Sequence, residues 1–301
     1  MSANYIVYQA YGSKDILNEA LYSILSFYEV YGLEQKDIKV VVYTDSPTHF
    51  ESILGKERVE CRLIDAEIIR KWRGEIDFVH RVKIETLLHF SKNLVDDNIL
   101  YLDSDIYFVQ DVTAIFEHIS KGNFYMHDEE GALNCSKFPL ILKMGKFIKS
   151  HRKELQKVGI AIPDNTKTWN AGVIGFNTSN KYVLQKVLCF TDSFYKIYPK
   201  HIAEQFGFSL YLGKEGKVLT ARHQLFHYWS FKEFRAVLYD FFEYHRGTEL
   251  ALLLKELKKV SPIVLGQPKN EYDTMHWLPK AFRKMKKNRW VMPNYKYWEQ
   301  K

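Results

Sequence analysis

The chain has 301 residues, of which 46% are apolar, 26% charged and 15% aromatic. That length can bury a substantial core, and that composition excludes a chain disordered throughout. The formal net charge of +7 is local: eight of the 43 Lys and Arg and one of the 36 acids fall in residues 275–301, leaving 35 bases against 35 acids elsewhere. A protein that grips nucleic acid along its body is basic throughout, so no nucleic-acid partner is expected. No apolar run reaches the roughly 18 residues that a spanning helix requires. Cys61, Cys135 and Cys189 are too few and too scattered for a disulfide framework or a zinc site and suit a reducing compartment. The chain enters the apolar residues 5–10 almost at once, without the basic and apolar regions of a secretory signal, so a cytoplasmic location is expected.

In chain order, residues 5–10 read as a strand and residues 15–31 as a helix, with Ile16, Leu17, Ala20, Leu21, Ile24, Leu25 and Tyr28 on one side and Gly32 placed to end it. Residues 38–43 are a continuous β-branched run, the pattern of a strand buried on both faces. A strand over 59–64, a helix over 79–90 and a strand over 98–102 follow. Helix and loop are expected across 131–168, including a Lys-rich helix over 137–157. A strand over 172–177 follows, then helices over 180–198 and 203–211, and a long helical stretch over 231–260 interrupted near Gly247. Strands alternating with helices predict an α/β fold, Rossmann-like, with a mostly parallel central sheet flanked by helices. Ligands of such sheets bind beyond the carboxyl ends of the strands. The expected organisation is one domain over 1–260 and a helical, basic and aromatic extension over 261–301.

Two clusters carry chemistry. Asp103-Ser104-Asp105 follows the apolar strand 98–102 directly, and two carboxylates one residue apart at a strand end can reach one hard cation, Mg²⁺ or Mn²⁺. Such an ion bridges the phosphates of a nucleotide and stabilises a departing diphosphate. In Trp169-Asn-Ala-Gly-Val-Ile-Gly-Phe-Asn177, Gly172 and Gly175 permit close backbone approach beside a strand, and Asn170 is polar at its entrance.

Tyr101-Leu-Asp-Ser-Asp-Ile106, then Trp169 to Asn177, then His227 resemble the ordered motifs of GT-A fold glycosyltransferases, most of all glycosyltransferase family 8. The resemblance spans about residues 1–230. It implies a nucleotide-diphosphate sugar donor, by default a uridine diphosphate sugar, with a glycan or lipid-linked saccharide acceptor and retention at the anomeric carbon. It implies that Asp103 and Asp105 bind the metal and donor diphosphate with Ser104 between them, and that a downstream His completes the metal shell. His227 matches, and His223 is its rival. The family's His precedes a Gly- and Lys-containing tail that touches phosphates; here Tyr228-Trp-Ser-Phe-Lys232 stands in that place. A basic residue on the preceding helix approaches the phosphates, matched by Lys83 with Arg81 as alternative. Glu204-Gln205 resembles the Asp-Gln pair near the transferred sugar and acceptor, with Asn170 as a further catalytic candidate. Tyr11 is the candidate to stack on the base and Asp45 to contact base or ribose. Other readings are a sugar nucleotidyltransferase, for which residues 9–14 hold only one Gly, and a non-catalytic nucleotide- or glycan-binding module on the same fold.

The basic tail places Lys280, Arg283, Lys284, Lys286, Lys287 and Arg289 among Trp277, Leu278, Phe282, Met285, Trp290 and Trp298. Cations around an apolar face are the pattern of a helix lying on an anionic membrane, so residues 277–298 are expected to hold the protein peripherally on an inner membrane face.

Overall fold

A computed structural model describes residues 2–286, 289, 290 and 292. Its strands are β1 (Asn4–Ala10), β2 (Ile38–Thr44), β3 (Glu60–Leu63), β4 (Asn98–Leu102), β5 (Ile106–Phe108), β6 (Phe124–Met126), β7 (Glu129–Ala132), β8 (Lys167–Trp169), β9 (Val173–Asn177), β10 (Val218–Thr220) and β11 (Leu225–His227). Seven form the central sheet in the order β10-β6-β9-β4-β1-β2-β3. All its pairings are parallel except those of β9, which runs antiparallel to both β4 and β6. The expected α/β architecture is present.

The period of two explains the layering. Ile6, Tyr8, Val40, Val42, Leu100 and Leu102 pack on one face of the sheet, while Val7, Val41, Tyr43, Ile99 and Tyr101 pack on the other. Helices cover both faces, so these strands read as unbroken apolar runs rather than alternating ones. At one end of the sheet Asn177 Nδ2 donates to Asn98 Oδ1 at 3.0 Å, and Asn98 Nδ2 donates to Asn4 Oδ1 at 2.9 Å. These bonds tie β9, β4 and β1 in one register. A one-residue slip would turn every core side chain to the opposite face.

The helix Lys14–Tyr31 starts at Ser13, whose Oγ accepts from the Ile16 amide. Buried along most of its length, it packs between the sheet and the helices Phe234–Tyr244 and Leu250–Leu257. These two helices are the halves of the stretch expected over 231–260, separated at Gly247, where φ is +77°. Two local expectations change. Residues 131–168 run between β7 and β8, which pair antiparallel across the intervening helices and are too short to show a period in sequence, and the Lys-rich stretch is two helices, Pro139–Ser150 and Arg152–Lys157, meeting at His151.

Past residue 260, Leu265 packs in the main core and Tyr272 is buried. The helix Trp277–Met285 has no buried residue.

Candidate active site

The Asp103-Ser104-Asp105 triplet leaves the carboxyl end of β4, where the Asp103 amide donates to the Gly172 carbonyl at 2.8 Å. The chain then enters β5, which pairs antiparallel with β11 so that Ile106 lies opposite His227. The Tyr228 amide donates to the Asp105 carbonyl at 3.1 Å. This small second sheet brings His227 to the carboxylates: one ligand atom each from Asp103, Asp105 and His227 lie within 4.8 Å of one another. His223 is exposed on the turn before β11 and is not in this cluster.

The polar partners of His227 determine what it offers. Asn170 Oδ1 accepts from the Gly172 amide at 3.0 Å, which identifies the atom as oxygen. The same oxygen lies 2.9 Å from His227 Nδ1, so Nδ1 carries a hydrogen. In neutral imidazole, Nε2 then presents a lone pair, and it faces Asp105 Oδ1 at 3.0 Å. Two acceptors at that distance repel unless a proton or a cation lies between them. The donor set, two carboxylates and an imidazole with its lone pair aimed inward, therefore fits a divalent ion. Gly172 makes room for the ring: a Cβ there would come within 2.3 Å of His227 Cε1. Gly175 is a packing glycine, since a Cβ would meet Ile119 and Tyr125 at 2.8 Å.

Lysines compensate both aspartates. Lys83, buried at the base of the cleft, lies 3.0 Å from Asp103, 3.2 Å from Glu204 and 2.9 Å from the Ala171 carbonyl. Burial alone would lower its pKa, but Asp103 and Glu204 hold it above the usual lysine range. Burial pushes the Glu204 carboxyl up to about 7 against the pull of Lys83. Burial would also raise Asp105, yet His227, when a proton lies on Nε2, and Lys232 hold it well below the usual carboxylate range, Lys232 donating at 2.8 Å.

The bulge in β7 completes the constellation. Glu129 pairs with Trp169 and Gly131 with Thr168, which leaves Glu130 as the extra residue. Its carboxylate accepts from Asn170 Nδ2 at 3.3 Å and from Gln205 Nε2 at 2.8 Å. Burial raises its pKa, and both amides oppose that shift. Gln205, Glu130, Asn170, His227, Asp105, Asp103, Lys83 and Glu204 thus form a closed circuit of polar contacts. It closes through the 204–205 peptide link and the 103–105 triplet.

Asp103 and Asp105 line a cleft of about 240 Å³ whose lining also includes Tyr11, Lys83, Ser104, His80, Lys232 and Arg235. Tyr11 is there with its hydroxyl buried and pushed up to about 12 by burial. Asp45 is not on the cleft wall; its Oδ2 accepts from the Gly12 amide at 2.9 Å and holds the loop after β1, where Gly12 has φ +88°. Arg81 faces elsewhere, bound to Asp192, Glu85 and the Trp72 carbonyl. Of the two cations proposed on that helix, Lys83 alone reaches the cleft. Lys232, Arg235, Glu130 and His80 complete the site without having been singled out. For Lys232 the signal was its place five residues after His227 on one loop. For Glu130 it was a Glu-Glu-Gly run able to form a bulge.

No family model and no curated protein matches the chain. Solved structures do. The glycosyltransferase GlyE of Streptococcus pneumoniae TIGR4 aligns with 86% of this chain and 64% of its own, at 13% identity and a TM-score of 0.50. The galactosyltransferase LgtC, solved with donor and acceptor sugar analogues, aligns with 72% of this chain and 73% of its own, at 16% identity and a TM-score of 0.43. Mouse xyloside xylosyltransferase 1 aligns with 73% of this chain and 85% of its own, at 10% identity and a TM-score of 0.46. At such identities a likeness establishes architecture and nothing finer. With its parallel sheet, the antiparallel β9 and the small β5–β11 sheet beyond β4, the chain has the GT-A glycosyltransferase fold.

Proposed function

We propose that the chain is a metal-dependent glycosyltransferase that moves a sugar from a nucleoside diphosphate donor, by default a uridine diphosphate sugar, to a hydroxyl of a glycan or lipid-linked saccharide. The observation that carries this reading is the convergence of Asp103, Asp105 and His227 at the carboxyl end of β4, with Nε2 of His227 turned inward. These three residues would hold Mn²⁺ or Mg²⁺. When bound, the ion supplies positive charge against the diphosphate that leaves.

The remaining work belongs to the chain. Asn170 fixes the His227 tautomer. Lys83 fixes Asp103 and offsets its charge from below. Lys232 is half exposed on the cleft wall and can turn from Asp105 to a phosphate oxygen, a charge-assisted contact that a diphosphate strengthens. Tyr11 offers an aromatic face for the base, and Ser104 a hydroxyl at the diphosphate. Gln205 and Glu130 offer an amide and a carboxylate to sugar or acceptor hydroxyls. Donor and acceptor held against this rigid circuit react with little reorganisation. The likeness of the motifs to family 8 supports retention of anomeric configuration.

The tail helix Trp277–Met285 supports peripheral attachment to an anionic inner membrane face. Trp277, Leu278, Phe282 and Met285 are exposed together with Arg283, Lys284 and Lys286. The rest of the segment proposed for this contact, residues 287, 288, 291 and 293–298, lies outside the described residues. No described helix is long and apolar enough to cross a membrane. Flotation with anionic liposomes, comparing the full chain with one ending at Asp273, tests attachment; equal flotation rejects it.

A thermal-shift panel of nucleoside diphosphates and their sugar conjugates, with and without Mn²⁺, tests the donor site on wild type and Asp105→Ala. A ligand at about 100 times its Kd adds roughly 2.7 kcal/mol to stability. The reading expects a Mn²⁺-dependent shift, selective for one base and absent in the variant. A shift of equal size in Asp105→Ala would reject it.

A further inference from the structure

The charge balance outside the tail conceals a second concentration of cations. Residues 137–157 hold Lys137, Lys143, Lys146, Lys149, Arg152, Lys153 and Lys157 against the single acid Glu154. In the helix Pro139–Ser150 the stripe Ile141, Met144 and Ile148 is buried, while Lys143, Lys146 and Lys149 are exposed at successive i, i+3 positions. In the helix Arg152–Lys157 that follows, Leu155 is buried and Lys153 and Lys157 are exposed at i, i+4. Arg152 pairs with Asp164; none of these five lysines has an ion-pair partner among the described residues. Like charges at such spacings destabilise a helix, so the stripe does not serve the fold.

Its position relates it to the site. Gly145 brings the helix against the chain after β7, so closely that a Cβ would lie 2.2 Å from the Leu133 carbonyl oxygen. A cleft there is lined by Leu133, Asn134, Gly145, Lys146, Lys149 and Asp164. The five residues Glu130 to Asn134 run from the polar circuit to this cleft, a span of at most about 14 Å. Ser136 Oγ, by donating to the Glu130 carbonyl, and Gln205, by donating to its carboxylate, anchor the near end.

We propose that this stripe is the docking surface for an anionic acceptor: a glycan chain bearing repeated carboxylate or phosphate groups, which lies along Lys143, Lys146, Lys149, Lys153 and Lys157 and presents its end to the Glu130–Gln205 side of the site. The proposal rests on the glycosyltransferase reading and specifies its acceptor class. A polyanion matches five exposed lysines that have no ion-pair partner among the described residues, and its binding releases counterions. A membrane is a poorer match, because the exposed positions between these lysines lack the large apolar anchors that the helix Trp277–Met285 carries.

The test measures binding of fluorescein-labelled polygalacturonate, a carboxylate chain, and poly(glycerol phosphate), a phosphate chain, to the full protein. Dextran, duplex DNA and phosphatidylserine-containing vesicles serve as comparisons. Wild type is expected to bind at least one anionic glycan, to ignore dextran and to lose affinity steeply between about 50 and about 200 mM salt. Lys146→Glu/Lys149→Glu/Lys153→Glu is expected to bind that glycan at least about tenfold more weakly, with Mn²⁺-dependent nucleoside diphosphate binding unchanged. Equal glycan binding by variant and wild type overturns the proposal, as does tighter binding of DNA than of either anionic glycan, or vesicle binding that falls as far in the variant as glycan binding does. The nucleotide readout is separate: wild type that binds no nucleoside diphosphate with Mn²⁺ rejects the reading of the site, and with it the role of the stripe in delivering an acceptor.

Discussion

His227 sits between Asn170 and Asp105, its Nδ1 2.9 Å from the amide oxygen of one and its Nε2 3.0 Å from a carboxylate oxygen of the other. The first contact places a hydrogen on Nδ1 and the second shows where Nε2 points. Replacing Asn170 by Ala leaves the ring in place but removes the acceptor that orients it. Such outer partners contribute about 10- to 100-fold to metal affinity, so Asn170→Ala should weaken Mn²⁺ binding by that factor. Titration of free Mn²⁺ by electron paramagnetic resonance measures it, and unchanged affinity would remove His227 from the ligand set.

Gly172→Ala asks whether the ring needs the space beside β9. The added methyl would lie 2.3 Å from His227 Cε1, with the backbone of β9 on the other side, so ring or strand must move. Overpacking of this kind costs about 1–3 kcal/mol, read from urea denaturation, and Mn²⁺ binding should fall further than in Asn170→Ala. Gly175→Ala, which meets Ile119 and Tyr125 instead, should lose comparable stability and keep its metal affinity.

Glu204 makes a pH prediction with a definite sign. Its carboxyl is pushed up to about 7 by burial, above its ordinary 4.5. Between these values the folded chain holds a proton that the unfolded chain has released, so this group stabilises the fold at low pH and the contribution is lost as pH rises through 7. His80 acts oppositely, since burial pushes it down to about 4, and so does His127 for the same reason. The net profile therefore mixes signs, and the difference between Glu204→Gln and wild type isolates the carboxyl. The stability of Glu204→Gln relative to wild type should rise by on the order of 3 kcal/mol between pH 4.5 and 8. A flat difference would show that Glu204 stays ionised beside Lys83.

Glu19 and Arg235 form a two-point ion pair at the cleft wall. Both carboxylate oxygens of Glu19 accept from the guanidinium at 2.9 Å, and Glu19 is fully buried on the first helix, where burial raises its pKa and Arg235 opposes that. Arg235→Ala leaves a buried carboxylate without its partner, which costs about 3–5 kcal/mol in a closed site and less here, because Arg235 is partly exposed. Adding Glu19→Leu should recover most of the loss, a reversal that calorimetric Tm values can follow. If the double variant is no more stable than Arg235→Ala, the pair is not what holds the two helices.

Lys232→Ala separates binding from stability. Its ion pair with Asp105 is half exposed on the lysine side, so folding should change by no more than about 1 kcal/mol. A charged hydrogen bond to a diphosphate contributes about 1.5–3 kcal/mol, so nucleoside diphosphate affinity with Mn²⁺ should drop by roughly 10- to 100-fold in calorimetric titration. Unchanged affinity would leave Lys232 as a counter-ion for Asp105 alone.

What was legible in the sequence is what neighbours within a few residues decide. The β-branched run of β2, the apolar run of β4 and the alternation of strand with helix follow from burying both faces of a parallel sheet. The carboxylate pair after β4 was visible because a strand end is a local feature, and Gly32 and Gly247 mark helix ends through their positive φ. Tertiary structure decided the rest, because the site joins residues whose separation exceeds any local pattern: His227 and Asp105 stand 122 apart, Gln205 and Glu130 75, Arg235 and Glu19 216. The pairing of β5 with β11 selects His227 over His223, the turn of one helix commits Arg81 to Asp192 while Lys83 enters the cleft, and a bulge in a four-residue strand aims Glu130 at Asn170. Sheet order and strand pairing set these distances, and they follow from packing the whole core at once.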